Sequence, residues 1–248
     1  MLPLRDDNTD SKSDPWVNYI LIAANVFVFV FFQGLGANEA FTNSFSTIPR
    51  EILTGQDVIG SVPISDGNGN TTTLQLGQTP VSVYLTLFTS MFMHGGFAHI
   101  SGNMLYLWIF GDNLEDRMGH LKYLLFYLIC GTIAGLSHVV CTGASGTNAL
   151  IPSLGASGAI SGVLGGYILL FPHRRVTVLF LRQIMDVPAY VCLGLWIVFQ
   201  AAESSGILGG SPDGAGVAYA AHLGGFIAGL CLVKIFAGRS ESQSWRSR

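Results

Sequence analysis

Residues 123–173, YLLFYLICGTIAGLSHVVCTGASGTNALIPSLGASGAISGVLGGYILLFPH, contain no Asp, Glu, Lys or Arg. A helix that crosses a bilayer needs about 20 mostly apolar residues, so this stretch has room for two. Its middle, Thr142 to Pro152, gathers Gly, Ser, Thr, Asn and Pro and therefore marks a loop. The prediction is a helix from Lys122 to Val140, a turn-rich connection, and a helix from Ser157 to Phe171. Charge-free gaps of the same kind lie at 15–38, 67–111, 187–202 and 214–233. They predict helices from Trp16 to Gly34, Phe97 to Phe110, Val187 to Ala202 and Gly216 to Phe236. The gap 67–111 opens on a polar segment, Asn68 to Gln78, so only its later part can span, with Tyr84 to Met93 leading into the helix. The expected fold is an all-α membrane protein, a bundle of six transmembrane helices with a long, partly membrane-embedded first outer loop.

Composition agrees with that reading. The chain of 248 residues is 50% apolar and 11% charged, with a mean hydropathy of +0.48. Soluble domains carry about 25% charged residues, and a soluble surface is hard to build from so few. A net charge of −3 offers no basic patch, which excludes nucleic acid as an expected partner. Cys130, Cys141, Cys192 and Cys231 lie in or beside apolar stretches without metal-ligand spacing and read as inert thiols. The first residues are acidic and show no cleavage-site pattern, so a signal peptide is not expected.

Six spans put both tails and the second and fourth loops on one side. That side holds Arg5, Lys12, Arg117, Lys122, Arg174, Arg175, Arg182, Lys234, Arg239, Arg246 and Arg248, and the other holds Arg50 alone. The positive-inside rule makes the basic side cytoplasmic. The long outer loop runs from about Gly36 to Phe92, and its apolar tail suggests a segment lying in the interface.

Ionisable side chains inside a membrane are costly and point to function. His94, His99 and His222 qualify. His120 and His173 fall in loops, and His138 sits near the end of the third helix. His99 and Asn103 are four residues apart and share one helix face. Gly-Ala-Ser-Gly occurs twice, at 143–146 and 155–158. Ser145 is followed by loop residues, whereas Ser157 opens an apolar run. It therefore stands at a helix N-terminus, where backbone N–H groups lack intrahelical partners and can hold an oxyanion. Gly158, Gly162 and Gly166 make a small-residue stripe on that helix, and Ala221, Gly225 and Gly229 make one beside His222. Such stripes let helices approach closely, as a serine and an imidazole must to share a hydrogen bond. No His-Glu-x-x-His motif and no central carboxylate is present, so metal and aspartyl chemistry are disfavoured and a Ser–His dyad is implied rather than a triad. Hydrolysis also needs water, so the site is expected to open to the outer face.

These motifs, in this order, resemble the rhomboid intramembrane serine proteases over about residues 16–238. His94-Gly-Gly-Phe-Ala-His99-Ile-Ser-Gly-Asn103 looks like the family's second-helix signature. Gly155-Ala-Ser157-Gly158 looks like its nucleophile motif, and Ala221-His222-Leu-Gly-Gly225-Phe-Ile-Ala-Gly229 like its base motif. Glu115 and Arg117 resemble a structural Glu-x-Arg pair of the inner loop. The resemblance implies Ser157 as nucleophile and His222 as base. It also implies an oxyanion hole of Asn103, His99 and the Ser157 N–H, supported by His94, with the fifth helix as lateral gate. It implies no metal and no cofactor, and as partners the lipid bilayer and single-pass transmembrane substrates, cut near the outer face. Ser161 stands where some members carry a tyrosine stacked on the base, and an extra soluble N-terminal domain is not seen. The expected division is a polar cytoplasmic tail at 1–15, a six-helix core at 16–238 and a second cytoplasmic tail at 239–248, in a bacterial inner (plasma) membrane. A transporter and a non-catalytic client-binding protein are the alternatives, and oligomeric state stays open.

Overall fold

The computed structural model describes residues 1–65, 71–143, 147–204 and 216–237. Ser145, Asn70 and the tail from 239 onward lie outside the described residues. Helix α1 (Trp16–Phe27) continues into a π-turn, Val28–Phe32. Three short helices, α2 (Glu39–Ser44), α3 (Pro49–Thr54) and α4 (Thr86–Thr89), and a hairpin of β2 (Gly60–Ser65) and β3 (Thr71–Leu76) lead to α5 (Phe97–Met118). Then come α6 (His120–Thr142), α7 (Ser157–Leu170), α8 (Ala189–Ser204) and α9 (Gly216–Phe236). These helices stand where the charge gaps put them, except that α5 runs on to Met118. Its last turns carry Asp112, Glu115, Asp116 and Arg117, which periodicity of apolar residues cannot announce. By length and composition, His120–Thr142 and Tyr219–Phe236 are apolar enough to cross a membrane, and Trp16–Phe32, Ser157–Leu170 and Ala189–Ala202 are shorter apolar helices.

Helix α7 is the axis of the bundle. Every residue from Gly158 to Tyr167 is buried, as expected for a helix apolar on all faces. A methyl on Gly225 of α9 would overlap the carbonyl oxygen of Gly158, and one on Gly229 would overlap that of Gly162. Beside this contact, Gly158 meets Ala134 and Gly162 meets Cys130, both on α6. The stripes thus bring backbone against backbone, and the core of Phe110, Leu114, Phe126, Leu164 and Tyr167 fills the space toward the Arg-rich end.

Glu115 is fully buried, and its carboxylate accepts the N–H groups of Val17 and Asn18 at 2.9 and 2.7 Å. It therefore caps the otherwise unpaired start of α1, where the helix dipole favours a negative charge. His120 Nδ1 lies 2.5 Å from the same carboxylate. Arg117, in contrast, makes no ion pair among the described residues.

The fold is not purely helical. Leu2–Asp6 forms β1, which pairs antiparallel with β4 (Arg175–Phe180), and β4 pairs with β5 (Gln183–Pro188). Leu181 and Arg182 take left-handed φ values of 47° and 67°, the turn that a two-residue hairpin requires. The expectation of an all-α chain is corrected by this sheet and by the β2–β3 hairpin. Residues 1–15 are likewise more than a tail. Asp116 accepts the Lys12 and Ser13 N–H groups, and Asp6 accepts the Tyr167 hydroxyl at 2.6 Å and Asn113 Nδ2 at 2.7 Å. The remote partner strand explains why a five-residue segment showed no signal by itself.

Burial pushes the Asp6 carboxyl up to about 7; the Tyr167 hydrogen bond and Arg174 oppose this, and Asp112 reinforces it. The native state therefore holds a proton that the unfolded chain gives up near pH 4. Docking of β1 is accordingly strongest at acidic pH and weakens as pH rises from about 4 to about 7. Tryptic cleavage after Arg5, rated between pH 6 and 8 and corrected for the enzyme's own profile, should accelerate with pH, and Asp6→Asn should remove that dependence.

Candidate active site

Gly155 precedes α7 with φ at +123°, and a side chain there would press into the His99 ring. Glycine is thus required twice over, by backbone conformation and by space. The Gly155 N–H donates to the Ser90 carbonyl at 2.8 Å and pins the loop to the turn after α4. The first helical bond of α7 runs from the Ile160 N–H to the Ala156 carbonyl, so the Ser157 N–H points out of the helix start. Ser161 donates back to the Ser157 carbonyl at 2.7 Å and is not turned toward the imidazole.

His222 reaches Ser157 from α9. Its Nε2 lies 2.8 Å from Ser157 Oγ, and its Nδ1 lies 2.7 Å from Gln200 Oε1 on α8. Two aromatic rings flank the imidazole at longer range, Trp196 at 6.1 Å and Tyr219 at 6.3 Å between centroids. The close approach of α7 and α9 is what makes the 2.8 Å contact possible, because a Cβ at Gly225 would hold the two helices apart.

His99 faces Gly155 and Ser157 from the first turns of α5. Its Nδ1 accepts the Gly95 N–H at 3.3 Å, which leaves Nε2 as the protonated nitrogen. Asn103, 8% exposed, has an amide Nδ2 with no hydrogen-bond partner. Buried donors are nearly always paired, so this one marks a place where an acceptor belongs. His94 is fully buried, with its ring 5.2 Å from that of His99. Its backbone is clamped at both ends by Gln33: the His94 N–H donates to Oε1 and Nε2 donates to the His94 carbonyl, each at 2.9 Å.

A cavity of about 320 Å³ opens beside Ser157 and His222, with His99, Asn103, Tyr106, Trp196 and Gln200 around it. A second of about 50 Å³ lies on the other side of Ser157 and His222, next to Thr47, Ser90 and Ser153, large enough for water. Ser157 and His222 therefore border both cavities. His138 is buried in α6 near Thr142, away from this group. Among the described residues no cluster of three or more metal-ligating side chains occurs.

Gln200 and Gln33 were not anticipated. Each is a lone polar residue at the edge of an apolar run, and that is the signal that could have singled them out.

A family model described as Rhomboid domain matches residues 82–239. Rhomboid protein 1, mitochondrial, of Saccharomyces cerevisiae is 33% identical over 150 residues, 60% of this chain and 41% of that one. Presenilin-associated rhomboid-like protein, mitochondrial, of Mus musculus is 31% identical over 144 residues, 58% of this chain and 36% of that one. Rhomboid protease GluP of Bacillus subtilis is 33% identical over 131 residues, 52% of this chain and 24% of that one. The chain thus spans less than half the length of these relatives. The expectation of a bacterial inner membrane with cytoplasmic termini is overturned, because the yeast and mouse relatives are named as mitochondrial. Basic-residue counting sorts the two sides of a membrane and carries no information about which membrane it is.

Proposed function

The chain belongs to the rhomboid family, and on that footing we propose that it is a serine endopeptidase cutting transmembrane segments of single-pass proteins within a mitochondrial membrane. In this reading α1, α5, α6, α7, α8 and α9 are the six spans of a core at 16–238, flanked by 1–15 and 239–248. The segment between α1 and α5 is the partly membrane-embedded loop, and Glu115 ties the end of α5 to the start of α1. One observation carries the reading, the 2.8 Å hydrogen bond between His222 Nε2 and Ser157 Oγ.

Ser157 Oγ attacks the scissile carbonyl carbon as its proton passes to His222 Nε2. The carbonyl oxygen, now negative, accepts from the Ser157 N–H, Asn103 Nδ2 and His99 Nε2. The C–N bond then breaks and His222 gives its proton to the departing amine. Water, deprotonated by the same imidazole, releases the acyl group and restores Ser157. The unpartnered Asn103 amide and the Nε2-protonated His99 favour this over a purely structural polar cluster. Asn103→Ala is expected to lower kcat by about 10²–10³-fold with a much smaller change in KM. A change confined to KM in steady-state cleavage would instead make Asn103 a ground-state contact.

Reconstitution in vesicles with a fluorophosphonate probe and a single-pass substrate tests the whole reading. Covalent labelling and substrate fragments are the expected results. Coupled ion flux without labelling would make the chain a transporter, and substrate retention without cleavage would make it a client-binding protein.

A further inference from the structure

A neutral imidazole serves as base for a hydroxyl only if its other nitrogen carries the proton. For His222 this means a proton on Nδ1, so that Nε2 offers its lone pair to the Ser157 hydroxyl. Nothing in the dyad itself selects that tautomer. The Gln200 amide oxygen, 2.7 Å from Nδ1, does select it, because an acceptor at that distance requires a donor facing it. The reverse orientation of the amide would place a donor there, shift the proton to Nε2 and leave the ring unable to take the serine proton.

We propose that Gln200 is the positioning residue for His222, holding it in the base-competent tautomer and orientation from helix α8. This rests on the dyad reading above. The other side chains near the ring approach it differently. Trp196 and Tyr219 are more than 6 Å away between centroids. α6 approaches this part of α9 through Ala134 and Ser137, neither of which bonds the ring, and Ser161 bonds a backbone carbonyl. The titratable side chains around His222 are His99 and Tyr106 on α5 and Tyr219 on α9. Among the described residues no carboxylate hydrogen-bonds the ring.

An amide also suits its surroundings. When His222 takes the serine proton, its Nδ1–H keeps the same acceptor, and the amide dipole favours the positive ring. A carboxylate would favour it more, but a permanent charge on a lipid-embedded helix is costly. Gln200 and Trp196 are one turn apart on α8 and border the same cavity. Trp196 packs on Tyr106 and on Phe226, each at 6.4 Å between centroids. The placement of α8 therefore sets the placement of the acceptor.

Steady-state cleavage and fluorophosphonate labelling of the full chain in vesicles, rated from pH 5 to 9, test the assignment. Gln200→Leu, and Gln200→Met as a closer match in shape, are expected to lower kcat about 10–100-fold, with KM within about twofold and the same apparent melting midpoint in detergent. Gln200→Glu restores an acceptor and should recover most of kcat. Its acidic limb should move to higher pH, since a carboxylate holds the imidazolium more firmly. Wild-type kcat in Gln200→Leu, or a Gln200→Glu variant no better than Gln200→Leu with the parent pH profile, would reduce Gln200 to packing and overturn the proposal. Failure of the dyad reading looks different. It appears in the parent protein as absent labelling, or as labelling that survives Ser157→Ala, and the assignment of Gln200 falls with it.

Discussion

Ser157→Ala should abolish both substrate cleavage and fluorophosphonate labelling, a loss of about 10⁴-fold or more in kcat. In the proposed mechanism the hydroxyl is the attacking group, and alanine removes it without adding volume, so helix packing should be untouched. The comparison with Ser145→Ala is the informative one, because the two serines share the tetrapeptide Gly-Ala-Ser-Gly. Ser157 lies within hydrogen-bond reach of an imidazole, at 2.8 Å, and opens a helix, whereas Ser145 is followed by loop-forming residues in the sequence. Ser145→Ala should therefore label and cleave like the parent. Labelling retained in Ser157→Ala and lost in Ser145→Ala would move the nucleophile to the loop and undo the site as described. His222→Ala belongs to the same test, and its loss should be of similar size, because a serine without its base is a poor nucleophile in neutral water.

Gly229→Ala should be the most damaging conservative change in the bundle. The added methyl meets the carbonyl oxygen, carbonyl carbon and Cα of Gly162, all backbone atoms. No side chain can rotate aside, so α7 and α9 must separate. Overpacking of this kind costs about 1–3 kcal/mol and sometimes more. For a chain of this size that corresponds to roughly 2–12 °C in the melting midpoint. The functional loss should exceed the stability loss, since α7 and α9 carry Ser157 and His222 and small displacements lengthen a 2.8 Å hydrogen bond. Gly194→Ala on α8 is the control: a methyl there meets nothing within 4 Å, and alanine is the better helix former. Apparent melting in detergent and cleavage rates, measured on both variants, should separate widely. Equal behaviour of the two would show that the α7–α9 contact is not tight.

Much of this was legible in the chain itself. Gaps between charges placed the long helices, because a bilayer excludes charge wherever the chain crosses it. Helix-start context chose Ser157 over its twin, and the glycine stripes foretold that α7 and α9 meet. The all-α expectation failed at Leu2–Asp6, a strand that exists only because β4 lies beside it. α5 was cut short for a related reason. Its final turns carry Asp112, Glu115 and Asp116, which face the start of the chain and the start of α1, and charge reads as loop until those partners are seen.

What the sequence determined is the set of local facts: where charge is absent, which residues are small, which polar groups stand in an apolar run. Each of these acts through the solvent or through its own helix, so its consequence can be worked out residue by residue. Pairings were decided only by the tertiary structure. The dyad was inferred from two separated motifs, but the acceptor behind His222 was not, because Gln200 and His222 lie on different helices and an amide offers either a donor or an acceptor. Only the packing of α8 on α9 brings its oxygen to Nδ1, at 2.7 Å.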